Sequence, residues 1–233
     1  MSERRRRTER DERRRTFGQN VLADPAIIER LVAASGVGPG DLVVDIGAGT
    51  GALTRPLLAS GAEVWAIEPD PVWGPRLGAT LRGEGFGDRL RLLTMRVEDV
   101  RLPRAPYRVV ANIPFGATTA ILTKLLDDPT RGPDRADLVV QHEVARRHSA
   151  TPPDALRTAA WSPWWEFHLG PTIPSAAFRP RPSVDAAVLT IVRRDPPLLP
   201  PSLAPGFADV LRPAWSRAFD PRRGEPRVRG SRR

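Results

Sequence analysis

The sequence predicts an α/β protein in which a mostly parallel β-sheet is covered by helices on both faces. Short apolar runs alternate with stretches of helical pattern, as in repeated βαβ units. The polar or glycine residues that follow these runs would meet along one edge of a parallel sheet, where such folds bind ligands. The strands are predicted near residues 42–46, 64–68, 91–97, 107–112 and 137–142.

The first predicted strand runs directly into a glycine-rich turn with the spacing Gly47-x-Gly49-x-Gly51. Glycines let the backbone approach a ligand closely, and the start of the following helix offers free N–H groups. The spacing differs from the G-x-G-x-x-G pattern of dinucleotide-binding proteins. Asp45, just before the turn, is placed to meet the ammonium group of a methionine moiety.

The second and third predicted strands each end in acidic residues. Glu68 follows the glycine turn by about 20 residues, a position from which a carboxylate accepts hydrogen bonds from ribose hydroxyls. Asp99, at the end of the third strand, could accept a hydrogen bond from the amine of an adenine. Singly, each acid is better explained as a solvated charge at a strand end. Together, in this order, they favour S-adenosylmethionine as the cofactor.

The fourth predicted strand ends in Asn112-Ile113-Pro114-Phe115, a pattern suited to methylation of an adenine amine. That amine is a poor nucleophile until its N–H groups are held. Asn112 offers a side-chain acceptor, and the backbone carbonyl of Ile113 offers a second, because Pro114 restricts the residue before it. Phe115 offers a face for stacking of the base. The alternative is a buried strand that runs into an ordinary proline turn.

Phe178 is a second candidate for contact with the base. Prolines 180 and 182 stiffen the loop before a predicted strand at 186–192, so Phe178 would hold a flipped base opposite Phe115. The alternative is an ordinary core residue. For Trp161, Trp164 and Trp165, packing is the favoured interpretation.

Composition limits the possible classes of protein. The chain of 233 residues, 40% of them apolar, fits one sizeable domain with a small appendage. With no cysteine, disulfides and thiolate metal sites are excluded, and the three histidines lack metal-ligand spacing, so we expect no metal. No apolar run approaches 18 residues, and no apolar segment follows the arginine-rich start, so we expect a cytoplasmic protein without membrane contact.

The formal charge of +9 indicates a polyanionic partner. Lys124 is the single lysine among 36 basic residues, and arginines are concentrated in residues 1–15 and 222–233. Both ends lack the apolar periodicity needed to fold alone. Arginine binds phosphate with two parallel hydrogen bonds, so we expect both ends of the chain to bind RNA. The alternative is that each end is a solvated tail with only nonspecific affinity.

Several segments, in this order, make the chain resemble the Erm-type rRNA adenine N6-methyltransferases, within the wider rRNA adenine dimethyltransferase group. The segments are FGQNVL at 17–22, NIPF at 112–115, QHEVARR at 141–147, WWEF at 164–167 and FRPRPSVD at 178–185. The first is similar to the family's G-Q-N-F-L motif, with valine in place of phenylalanine.

The resemblance covers about residues 13–194 and implies a Rossmann-like S-adenosylmethionine-dependent methyltransferase fold with seven strands, the last pair near 165–170 and 186–192. By the same match, the cofactor site would be lined by Asn20, Leu22, Gly47, Gly49, Glu68, Asp99 and Asn112. Residues 16–195 would then form the methyltransferase domain. Residues 1–15 would form a flexible arm.

Residues 196–233 are predicted to form a short helical segment over about 203–219 and an arginine-rich tail. The prolines at 196–201 mark the boundary, because clustered prolines continue neither a helix nor a central strand. Erm-like enzymes carry a larger helical C-terminal domain. The chain departs from the family here.

The resemblance implies methyl transfer to N6 of one adenosine in 23S rRNA, at the macrolide-binding region of the exit tunnel, by a monomeric enzyme. Antibiotic resistance or self-protection of a producer would follow. One alternative is a 16S rRNA dimethyltransferase of ribosome biogenesis, although that branch usually has leucine where Ile113 stands. A noncatalytic RNA-binding factor with this fold is a second alternative, against which the intact cofactor motifs argue. A DNA adenine methyltransferase is disfavoured, because no target-recognition domain is present.

Overall fold

A computed structural model describes residues 20–218, and the predicted N-terminal arm and arginine-rich tail lie outside them. The strands are β1 (Val21–Leu22), β2 (Leu42–Ile46), β3 (Glu63–Ile67), β4 (Leu90–Leu93), β5 (Arg108–Asn112), β6 (Arg135–Gln141), β7 (Trp165–Ile173), β8 (Phe178–Arg179) and β9 (Ala186–Arg193). The helices are α1 (Pro25–Ser35), α2 (Thr54–Ala59), α3 (Trp73–Gly83), α4 (Thr118–Leu126), α5 (His142–His148), α6 (Leu156–Trp161) and α7 (Ala204–Ala218).

Seven strands form the main sheet in the order β4-β3-β2-β5-β6-β9-β7. The first five pair in parallel, and β9 pairs antiparallel with both β6 and β7. The predicted α/β class and the mostly parallel seven-stranded sheet are therefore confirmed. The order reverses between β2 and β5, so a crevice opens at the carboxyl ends of these two strands.

Alternate residues of the central strands pack into two cores, one on each face of the sheet. On β2, Val43 faces one core and Val44 the other, and Val110 and Val109 of β5 follow the same alternation. Apolar side chains on both faces explain why these strands appear in the sequence as continuous apolar runs. The cores are closed by the helices on each side.

The third strand is shorter than predicted. It ends at Leu93, and Val97–Asp99 forms a 3-10 turn where the sequence predicted strand up to residue 97. The physical reason is that β4 lies at the sheet edge and pairs only with β3, which ends at Ile67 opposite Leu93. Past that point β4 has no neighbour with which to form a ladder.

A second, two-stranded sheet joins β1 to β8, with Leu22 opposite Phe178. The sequence analysis missed it, because strands of two residues carry no periodic pattern. This antiparallel pair ties the segment before α1 to the connection between β7 and β9. It therefore brings two distant parts of the chain to the same side of the molecule.

The C-terminal segment forms one helix of 15 residues, α7, after a 3-10 turn at Pro201–Leu203. Phe207 of α7 meets Trp164 edge to face, with ring centroids 5.7 Å apart. The Trp164 indole N–H also donates to the Leu199 carbonyl over 2.9 Å. The predicted packing role of the three tryptophans is confirmed, since all are buried. No helix within residues 20–218 has the length and apolar character required to cross a bilayer.

Replacing Trp165 with alanine should destabilise the fold by about 3–5 kcal/mol, the usual cost of removing a buried aromatic side chain. Trp165 is fully buried, and the Arg193 guanidinium lies 5.5 Å from its ring. Urea unfolding followed by circular dichroism measures the change. Leu198→Ala, at a position that is 66% exposed, should shift the midpoint little. Equal midpoints for the two variants would contradict the core assignment.

Candidate active site

The glycine turn after β2 approaches the end of β5 closely. Gly47, Gly49 and Gly51 have φ angles of 78°, 54° and 82°, which disfavour any side chain. A Cβ atom on Gly47 would lie 3.3 Å from Pro114 Cδ, and one on Gly51 would lie 2.5 Å from Leu77 Cδ1. The turn therefore forms a bare backbone cradle beside the Asn-Ile-Pro-Phe segment.

One cleft brings together nearly all the residues that the sequence predicted for the site. Its lining comprises Asn20, Val21, Leu22, Asp45, Gly47, Ala48, Gly49, Ala52, Leu53, Glu68, Pro69, Asn112, Ile113, Pro114 and Phe115. It lies at the carboxyl ends of β2, β3 and β5, where the strand order reverses. The cleft lining thus includes Asp45, the glycine turn, Glu68 and Asn112, which the sequence placed at the ends of three different strands. Their roles in binding the cofactor and the substrate stay predictions.

Glu68 links the glycine turn to the segment after β3. Its Oε2 accepts the Gly49 N–H over 2.7 Å, and its Oε1 accepts the Asp70 N–H over 2.9 Å. The side chain is 1% exposed, and burial raises the pKa of its carboxyl above the ordinary value. Glu68 is the acid that the sequence predicted to accept hydrogen bonds from ribose hydroxyls, and that contact stays a prediction.

Asp45 is buried at the base of the cradle. The Thr54 hydroxyl donates to Asp45 Oδ2 over 2.6 Å. Burial, with a further contribution from the charge of Glu68, raises the pKa of Asp45 to about 7 despite the Thr54 hydrogen bond. A cationic ligand in the cleft would favour the ionised form of both acids.

Asn112 is held in one orientation by the segment that precedes β1. Its Nδ2 donates to the Asn20 backbone carbonyl over 2.7 Å. Because this bond uses the donor end of the amide, Oδ1 is left to accept a hydrogen bond from a substrate amine. Ile113 lies next to it, buried in the lining of the same cleft.

The two predicted base-stacking residues are neighbours, but they do not form an open slot. The rings of Phe115 and Phe178 have centroids 6.4 Å apart and planes 69° apart, an edge-to-face contact. Phe178 is fully buried in the core, whereas Phe115 is half-buried in the cleft lining. Packing against Leu22 and its neighbours covers Phe178 in this conformation, and the holding of a base between the two rings stays a prediction.

Asp99 is not among the residues that line the cleft. It is exposed at the end of the 3-10 turn Val97–Asp99, because β4 ends before it. Contact between Asp99 and an adenine amine stays a prediction. Within residues 20–218, no group of three His, Asp or Glu side chains is arranged to hold a metal ion.

The sequence analysis missed two residues that support the acids. Thr54 binds Asp45, and Asp70 accepts the Val72 and Trp73 N–H groups through Oδ1 at 2.7 and 3.1 Å. An aspartate that accepts backbone N–H groups two and three residues further on is a recognisable turn signal and could have identified Asp70. Its Oδ2 is buried with no hydrogen-bond partner in the described part of the chain.

Three features of the cleft fit S-adenosylmethionine: the glycine cradle after β2, the buried Glu68 after β3 and the oriented Asn112 amide at the end of β5. Together with the fold, they define an S-adenosylmethionine-dependent methyltransferase. Residues 10–216 match the sequence profile of the ribosomal RNA adenine dimethylase family. The chain belongs to this family.

Individual relatives agree with this assignment. The chain is 39% identical to an rRNA adenine N-6-methyltransferase of Corynebacterium diphtheriae, over 80% of this chain and 71% of that protein. It is 34% identical to the mycinamicin-resistance protein MyrB of Micromonospora griseorubida, over 87% and 63%. It is also 35% identical to the ribosomal RNA small subunit methyltransferase A of Opitutus terrae, over 80% and 69%.

Among solved structures, the 23S rRNA methyltransferase ErmE is similar with a TM-score of 0.73 and 27% identity. The match covers 83% of this chain and 78% of that one. The expected family and cofactor are therefore confirmed.

Glu68→Gln should weaken binding of S-adenosylmethionine by about 1–3 kcal/mol, the range for hydrogen bonds that involve a charged partner. The amide has only one acceptor oxygen, which cannot serve the backbone and both ribose hydroxyls equally well. Calorimetric titration measures the affinity. Glu63→Gln, at the exposed start of the same strand, is the matched control and should bind as the wild type does. Equal affinities would remove Glu68 from the cofactor site.

Asp45 should make the stability of the ligand-free protein depend on pH. Its pKa is about 7 in the folded protein against 3.8 for an ordinary aspartate, so between these values the folded state holds a proton that the unfolded chain has released. Its contribution to the free energy of unfolding therefore falls as pH rises from about 4 to about 7 and then levels off.

Asp45→Asn should abolish this contribution while keeping an acceptor for Thr54. Urea unfolding of the wild type and the variant between about pH 5 and pH 8 measures it: the difference between their free energies of unfolding should decline with pH up to about 7. Asp88→Asn, exposed in the turn before β4, is the matched control for replacing an aspartate with asparagine. A flat difference for Asp45→Asn would show that Asp45 is ionised at all these pH values.

Proposed function

We propose that this protein transfers methyl groups from S-adenosylmethionine to N6 of one adenosine in 23S rRNA and thereby protects ribosomes from macrolide antibiotics. The orientation of the Asn112 amide carries the proposal. Its Nδ2 is bound to the Asn20 carbonyl, so Oδ1 is presented beside the glycine cradle as an acceptor. An acceptor fixed at that point suits a donor such as an exocyclic amine and disfavours a carboxylate substrate.

The target base has to leave its helical stack to reach a cleft at the sheet edge. Phe115, half-buried at the mouth of the cleft, offers one face for stacking, worth about 1–3 kcal/mol. Asn112 Oδ1 and the Ile113 carbonyl would accept the two N–H groups of the amine. These bonds direct the nitrogen lone pair out of conjugation with the ring and toward the cradle.

S-adenosylmethionine, when bound, supplies a methyl group on a positively charged sulfur. The role of the protein is to orient the amine for in-line attack and to exclude water. Attack by a neutral amine produces a cation on N6, and that cation loses a proton after transfer without help from a strong base. This agrees with the absence of a histidine or carboxylate within the Asn-Ile-Pro-Phe segment itself.

Phe178 takes a different role from the sandwich expected from sequence. Its ring is edge-on to Phe115, and its strand β8 is paired with β1. We propose that it supports Phe115 from behind and helps to hold the Asn20 carbonyl against Asn112. Direct stacking of Phe178 on the base would require the β1–β8 pair to shift.

Support for a 23S substrate comes from the similarity to ErmE, and support for resistance comes from the similarity to MyrB. The relative from Opitutus terrae favours a second candidate, methylation of a small-subunit rRNA adenosine. Ile113 in the motif and the Erm-like segments of the sequence favour 23S rRNA as the substrate. The net charge of +9 suits either RNA. We further propose that the enzyme acts in the cytoplasm as a monomer.

Expression of the wild-type protein in a susceptible bacterium should raise resistance to macrolides, because an N6-methylated adenine fills space in the drug site and loses an N–H donor. Asn112→Ala should lower methyl transfer about a hundredfold or more, the scale for losing one preorganised hydrogen bond to the reacting group. Resistance should disappear with it.

The control variant Thr119→Ala, at an exposed position of α4, should protect as well as the wild type. Melting curves establish that both variants are folded, and primer extension on rRNA locates the methylated base. Methylation of a small-subunit adenosine with unmodified 23S rRNA would replace the proposed substrate with the second candidate. Full protection by Asn112→Ala would disprove the proposed mechanism.

A further inference from the structure

A second cleft lies at the same edge of the sheet as the methyl-transfer cleft. We call it the flanking cleft, and it is lined by Gln141, His142, Glu143, Thr172, Val184 and Asp185. Its floor is formed by the ends of three adjacent strands: Gln141 of β6 is paired with Ala186 of β9, which is paired with Ile173 of β7. None of these residues has a part in the chemistry described above.

The flanking cleft is close to the reacting centre. Strand β6 is the direct neighbour of β5, and Asn112 is level with Val139, two residues before Gln141. Adjacent strands are about 4.8 Å apart. The flanking cleft therefore begins one strand away from the amide that orients the target amine, within reach of the next nucleotide of the same RNA chain.

One segment of chain borders both clefts. The connection between β7 and β9 carries Phe178 against Phe115 at the methyl-transfer cleft, and then Val184 and Asp185 to the flanking cleft. Arg179 and Arg181 lie between these points and are exposed. Two guanidinium groups at this place suit the phosphate that would join two neighbouring nucleotides.

The side chains of the flanking cleft suit a nucleobase rather than a phosphate. Asp185 Oδ1 accepts the Ser175 N–H over 2.7 Å, and Oδ2 is left to accept a further bond. Glu143 is paired with Arg146, whose Nε donates to Oε2 over 2.9 Å. Val184 is 44% exposed and offers an apolar surface, and the His142 ring offers a face for stacking.

We infer that the flanking cleft binds the unpaired base next to the target adenosine, and that Asp185 selects a base that carries an exocyclic amine. A carboxylate accepts hydrogen bonds from such amines. Adenine, cytosine and guanine carry one, whereas uracil has none, and its single base-edge donor, N3–H, is flanked by two carbonyl oxygens that a carboxylate repels. This inference rests on the proposed function, and it makes Asp185 a specificity-determining residue outside the reacting centre.

The test uses the full-length protein and short RNA hairpins with one target adenosine in a single-stranded loop. Two series vary the nucleotide on its 5′ side and on its 3′ side through all four bases, and kcat/KM is measured by methyl transfer. The flanking cleft holds one neighbouring base, so only the series that varies that base should show a preference. In that series the wild type should methylate the uridine hairpin about tenfold less efficiently than the other three hairpins, the scale of one good base contact. Asp185→Asn should reduce that difference to less than about twofold, because an amide both donates and accepts.

Asp185→Asn keeps an acceptor for the Ser175 N–H, so its melting temperature and its affinity for S-adenosylmethionine should equal those of the wild type. Asp88→Asn should keep the wild-type preference. A second variant, Val184→Trp, fills the flanking cleft from an exposed position and should raise KM for the amine-bearing hairpins with no change in cofactor affinity.

A wild type without base preference, or an Asp185→Asn variant with the preference intact, would overturn the inference while methylation of the hairpins upholds the proposed function. An equal loss of activity on every hairpin in Asp185→Asn would also overturn it and would make Asp185 a purely structural residue. If no hairpin and no rRNA were methylated by the wild type, the proposed function would fail, and this inference would fail with it.

Discussion

The parallel pairing of β2 with β5 is the constraint on which the whole site depends. It places the glycine turn after Ile46 beside Asn112, although about 65 residues separate them along the chain. The contact is tight enough that a Cβ on Gly47 would press on Pro114. In the proposed function, a cofactor held by the turn and an amine held by Asn112 would therefore be brought within reacting distance by the backbone itself.

Two buried acids next to this contact give the cleft its electrostatic character. Burial raises the pKa of both Asp45 and Glu68, so the cleft holds acidic groups in an environment that disfavours their charge. A cofactor that carries an ammonium and a sulfonium group would favour the charged forms of both carboxylates and offset the cost of their burial. Binding of the positive ligand is thus coupled to ionisation of the site, whereas RNA is attracted by the arginines of the surface.

The fold class and most of the cleft could be predicted because they depend on local patterns. Apolar runs located the central strands, and the residues after each run identified Gly47, Glu68 and Asn112. Where the prediction failed, a distant partner decided the outcome. The third strand ends at Leu93 because β3 offers no neighbour beyond Ile67, and this leaves Asp99 outside the cleft. The β1–β8 pair joins two residues to two others and has no signature in the sequence.

By itself, the sequence determined the types of chemical group and their order: a bare turn, an acid, an amide before proline and two aromatic rings. The tertiary structure alone decided how these groups face one another. Pairing of Leu22 with Phe178 buries one ring and leaves Phe115 in the lining of the cleft, and the Asn20 carbonyl selects which end of the Asn112 amide faces the cleft. Such choices depend on contacts between residues about 90 or more positions apart, and the identity of a residue carries no information about the partner that folding will bring to it.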